Sequence, residues 1–158
     1  MIRLKLDKTD MDLLLANADL GGLCFAYEEK KIKSHADTSA EIFDVLDLIE
    51  SKRELLIEGK GYIELSNSQM VTLLTAVRSA FHLLMKNDKD LLMEVLVSAT
   101  PEFVTVEFGK LTTAAQSAHI ILDYLEVSCS EEVLKMWMAE RRCTAHLMYE
   151  SLVQKFSN

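Results

Sequence analysis

Glu140, Cys143, His146 and Glu150 follow one another at spacings of three, three and four near the carboxyl terminus. On a helix that spacing sets a thiol, an imidazole and two carboxylates along one flank, where they can converge on an ion. His119 and Asp123 add an i, i+4 pair upstream. If the two helices pack antiparallel, a mixed His, Cys and carboxylate centre for zinc or iron could stand between them, as in metal-holding helix bundles. The plainer reading is that amphipathic helices carry such residues along their polar margins as a matter of course. There is no His-Glu-x-x-His run and no Glu-x-x-His repeated on two helices. No cofactor is therefore expected, and the six residues stand as an alternative metal set.

Cysteine chemistry needs a thiolate, and Cys143 has Arg141, Arg142 and His146 as neighbours that would lower its pKa if the helix groups them. A half-buried structural cysteine is the simpler account. Cys24, between Leu23 and Phe25, and Cys129 read as packing or loop residues, because a free cysteine behaves as a small apolar side chain. Three widely spaced cysteines with no Cys-x-x-Cys pair make neither a disulfide framework nor a cysteine-built zinc site. The five glycines form no phosphate loop, dinucleotide fingerprint or nucleophile elbow. His82, between Phe81 and Leu83, reads as a boundary residue, and His35 as a loop residue. An enzyme is thus the less favoured class.

Trp137, flanked by Met136 and Met138 with Arg141-Arg142 one turn away, has the residue types enriched at the centres of protein interfaces. Such stripes more often face a core. With Met148, these residues outline a tentative interface, namely Trp137, Met138, Arg141 and Met148. If two copies meet there, a charge at Trp137 should convert a dimer to a monomer.

These residues must be positioned by helices. The chain has 158 residues, 49% of them hydrophobic, with one proline. That is enough apolar surface for one ordered domain spanning 1–158 with a core that needs no staples. The net charge of −8 speaks against phosphate binding, which relies on clustered cations. An acidic inhibitor of a nucleic-acid-binding protein would need a denser acidic face than this chain offers, and is kept as a second alternative. The first residues alternate charge with apolarity instead of forming the apolar stretch of a signal peptide, and no segment nears about 18 consecutive apolar residues. A cytoplasmic location without membrane or nucleic-acid contact is expected.

Three segments alternate with period two and read as strands: 2–6, 62–65 and 104–108. Arg3 and Lys5 face outward on the first, Glu64 and Glu107 on the others, so pairing the first with either would set opposite charges across the ladder. Aligning Leu6 with Leu65 puts Asp7 on Ser66, Met11 on Met70 and Leu14-Leu15 on Leu73-Leu74. This 59-residue offset fits an internal duplication or a shared strand-to-helix grammar.

The helical readings are a first helix broken at Gly21-Gly22, because each glycine costs roughly 1 kcal/mol relative to alanine; a second capped by Asp37 or Thr38; a third capped by Ser66 with Gln69 and carrying Met70, Leu73, Leu74, Val77, Phe81, Leu84 and Met85; a short one ending before Pro101; one over 110–127; and a last one capped by Ser128 or Ser130 with Leu134, Trp137, Met138 and Met148 on its stripe. The expected fold is α+β and mainly helical, five or six helices with a two- or three-stranded sheet. The expected function is a non-enzymatic protein-binding or regulatory module, a homodimer whose partner is itself or another protein, with a helical metalloprotein or small enzyme as the alternative.

Overall fold

The computed structural model describes residues 2–29, 36–58, 61–85, 90, 92, 94–95 and 111–143. Strand β1 (Ile2–Leu4) leads into α1 (Lys8–Glu29), followed by α2 (Ala36–Ser51) and the short α3 (Arg53–Ile57). Strand β2 (Ile63–Leu65) then leads into α4 (Asn67–Met85), and α5 (Leu111–Ser128) and α6 (Glu131–Cys143) complete the described elements. Residues 90, 92, 94 and 95 are helical as well, and Leu92 and Val95 join the core. The fold is mainly helical α+β, and the described residues give bounds for six helices and a two-stranded antiparallel sheet. The strand expected over 104–108 lies outside the described residues, as does any helical residue before Pro101 beyond position 95.

The sheet pairs as its charges require. Ile2, Arg3 and Leu4 stand opposite Leu65, Glu64 and Ile63. The apolar members face the core, while Arg3 Nε meets Glu64 Oε1 at 3.2 Å on the outer face. The Arg3 guanidinium also lies 4.6 Å from the centre of the Tyr62 ring. Cross-strand pairs of this kind are what fix the register of so short a ladder.

The two strand-to-helix units follow one pattern. Asp7 Oδ1 accepts the backbone N–H of Asp10 at 2.7 Å, and Ser66 Oγ accepts that of Gln69 at 3.1 Å. Gln69 returns the bond to the Ser66 N–H at 2.8 Å, completing a capping box that α1 makes only in half. Met11 and Met70, Leu14 and Leu73, and Ala18 and Val77 are all buried at equivalent positions. Leu4 and Ile63, equivalent under the 59-residue offset, are direct partners in the ladder. That is the register two copies of one unit take about a twofold axis.

Helix α4 is the centre of the molecule and packs against α1, α2, α5 and α6. It is buried on nearly every side, beyond the single stripe its sequence advertises. Thr72 and Ser79 on its polar side are buried too, and each hydroxyl donates back to the carbonyl four residues earlier, at 3.0 and 2.9 Å. Such back-bonding lets a small polar residue enter a core without a distant partner.

The glycine pair does not break α1. The helix runs on through residue 29, because Gly21 and Gly22 sit where neighbouring helices approach closely. A Cβ on Gly21 would come within 2.8 Å of Ala76 Cα in α4, and one on Gly22 within 2.9 Å of the Phe43 ring in α2. Packing gained at the crossing outweighs the local propensity cost. A second correction concerns α2, which begins at Ala36, so Asp37 and Thr38 lie within its first turn. Ser39 on that turn is buried and donates to the Gly22 carbonyl at 3.4 Å, tying α2 to the glycine crossing.

Candidate functional site

Helices α5 and α6 carry the sequence candidates, joined through Cys129 and Ser130. Ser130 caps α6, its Oγ accepting the Val133 N–H at 3.3 Å, and Glu131 and Glu132 occupy the first turn, where the helix dipole favours anions. About one turn before the end of α5, the Tyr124 hydroxyl donates to the Lys5 carbonyl, anchoring the helix to the segment that follows β1. Ser128 is instead used within α5, donating to the Tyr124 carbonyl at 2.9 Å.

Of the metal alternative, His119 and Asp123 lie together on α5. His119 Nε2 and Asp123 Oδ2 are 3.5 Å apart, with both side chains about three-fifths exposed, 59% and 60%. The Phe81 ring lies 5.5 Å from that of His119 and 5.8 Å from that of His82. His146 and Glu150 lie outside the described residues, as do the side chains of Glu140 and Cys143. Among the described residues no three His, Cys, Asp or Glu side chains group closely enough to hold a metal.

Nor do the described thiols form a nucleophilic centre. Cys24 is buried, and Cys129 is half-buried. Loss of hydration, reinforced by the Glu126 carboxylate, pushes the Cys129 thiol up to about 11. Its Sγ donates to the Leu125 carbonyl at 3.1 Å. A thiol so held is protonated at neutral pH and unreactive.

Three open grooves mark the described surface. One of about 500 Å³ runs beside β2 and is lined by Leu48, Lys52, Leu55, Gly61, Tyr62, Ile63 and Glu64. A second, about 180 Å³, lies between α2 and the start of α4, with Glu41, Asp44 and Thr72 among its walls. A third, about 330 Å³, lies between α1 and α2 and holds Asp19, Asp47, Glu50 and Arg53. Arg53 there bonds Glu50 at 2.7 Å and reaches Asp12 of α1 at 3.0 Å. Loss of hydration holds the Asp19 carboxyl above its usual range. None of these three linings includes His or Cys.

The tentative interface residues divide. Trp137 is 3% exposed and lies with Val133 in the core of its own chain. Met138, expected on the same stripe, is turned outward at 57% exposure. The inward face is set by Val133 and Trp137 at i, i+4, with Leu134 beside them, and Met138 falls about 100° from Trp137 on the helix. A charge at Trp137 would accordingly test folding as much as association. The side chain of Arg141 and the whole of Met148 lie outside the described residues.

Sequence reasoning missed the outward apolar residues of α5. Ile120 is 63% exposed and Val127 86%, seven residues apart and thus on one side of the helix. Their signal was present in the sequence: Ile120 and Val127 fall outside the stripe of Ala118, Ile121, Leu122 and Leu125 that faces the core. No described helix is long and apolar enough to cross a membrane. No family model, no curated protein and no solved structure matches the chain.

Proposed function

We propose that this chain is a protein-binding, regulatory module, not an enzyme, that acts as a homodimer through the outward side of α5 and α6. The observation that supports this reading is the exposure of Ile120, Val127, Met136 and Met138 on two successive helices whose inward faces are already used by the core. Exposed β-branched and Met side chains on helices are frequent at contact sites. Among the described residues, by contrast, no three His, Cys, Asp or Glu side chains group closely enough to hold a metal. A cytoplasmic location belongs to the same reading, in keeping with three widely spaced cysteines that make no Cys-x-x-Cys pair.

Native mass spectrometry combined with sedimentation across a concentration series tests it. A dimer is expected, and Met138→Glu should weaken it while leaving the monomer folded. A monomer at every concentration would overturn the homodimer. Elemental analysis of the same preparation tests the metalloprotein alternative, which a stoichiometric transition metal would establish in its place.

A further inference from the structure

We draw no further inference here: the strongest candidate, the open groove of about 500 Å³ beside β2 with Leu48, Leu55, Tyr62 and Ile63 among its walls, carries nothing because nothing in the structure shows what covers it.

Discussion

Gly21 of α1 rests directly on the backbone of Ala76 in α4, with no room between them for a methyl group. The atoms it would meet are main-chain atoms of the central helix, which cannot swing aside. Gly21→Ala gains roughly 1 kcal/mol of helix propensity but forces α1 and α4 apart, and overpacking of that kind costs about 1–3 kcal/mol or more. Net destabilisation is expected in denaturant unfolding. Gly22 is the control: its neighbour is the ring of Phe43, a half-buried side chain that can yield. Gly22→Ala should be close to neutral. Equal losses at the two positions would contradict this division between backbone and side-chain neighbours.

Asp7 and Ser66 cap the two long helices of the inner layer through the same i+3 bond. Replacing either with alanine leaves one orphan N–H and should cost about 1 kcal/mol. The sites lie in different helices without a shared partner, so their losses should add within about 0.5 kcal/mol. The two losses should be alike, because Ser66→Ala keeps the backbone N–H that Gln69 Oε1 accepts and removes only the bond to the Gln69 N–H.

Much of this was legible because it is local. The Ser66 and Ser130 caps, alternation in β1 and β2, and the opposed charges of Arg3 and Glu64 are written within a few residues and appear where the pattern puts them. What the sequence withheld was tertiary. The glycine pair reads as a break until α4 supplies the reason for it, and the Thr72 and Ser79 side of α4 reads as a solvent face until four neighbours close over it. In α6, Val133 and Met138 are both apolar and either could join Trp137, and only the position of α4 decides between them. The six-residue metal set was the least readable. It depends on two helices meeting, and the described half is a single exposed pair.

Asp19 sits at the wall of the α1–α2 groove with its carboxyl raised above the usual value by loss of hydration. A carboxyl raised in the folded state binds its proton more tightly there than in the unfolded chain, so ionising it opposes folding. Asp19→Asn should therefore stabilise the protein at pH 7. The gain should shrink as pH falls through the raised folded value and vanish below the unfolded value near 3.8. Urea midpoints of both chains at pH 7 and pH 3.5 check the sign, and a constant difference between them would refute it.

Cys129, with its thiol pushed up to about 11, is about one part in a thousand thiolate at pH 8. Iodoacetamide should leave it largely unmodified in the native protein at that pH, by peptide mass mapping, and label it fully after unfolding. Native labelling should rise only as pH approaches the raised value. Rapid labelling at pH 8 would mean that Glu126 and the surrounding burial do not control this thiol.

Trp137 and Met138 are sequence neighbours with opposite fates, and they separate stability from association. Trp137 fills the contact of α6 with the core, so Trp137→Ala leaves a cavity and should cost about 3–5 kcal/mol in the unfolding free energy of the dilute monomer. Met138 is mostly in water, and Met138→Ala should change that free energy by no more than about 0.5 kcal/mol. Association should rank them differently. Met138→Ala removes apolar surface from the proposed contact side of α5 and α6 and should weaken the dimer without touching the fold, whereas loss of dimer in Trp137→Ala should track loss of helix. Sedimentation and circular dichroism on the same samples separate the two. If Met138→Ala destabilises the monomer as much as Trp137→Ala does, the outward face assigned to Met138 is wrong and the interface proposed on it fails.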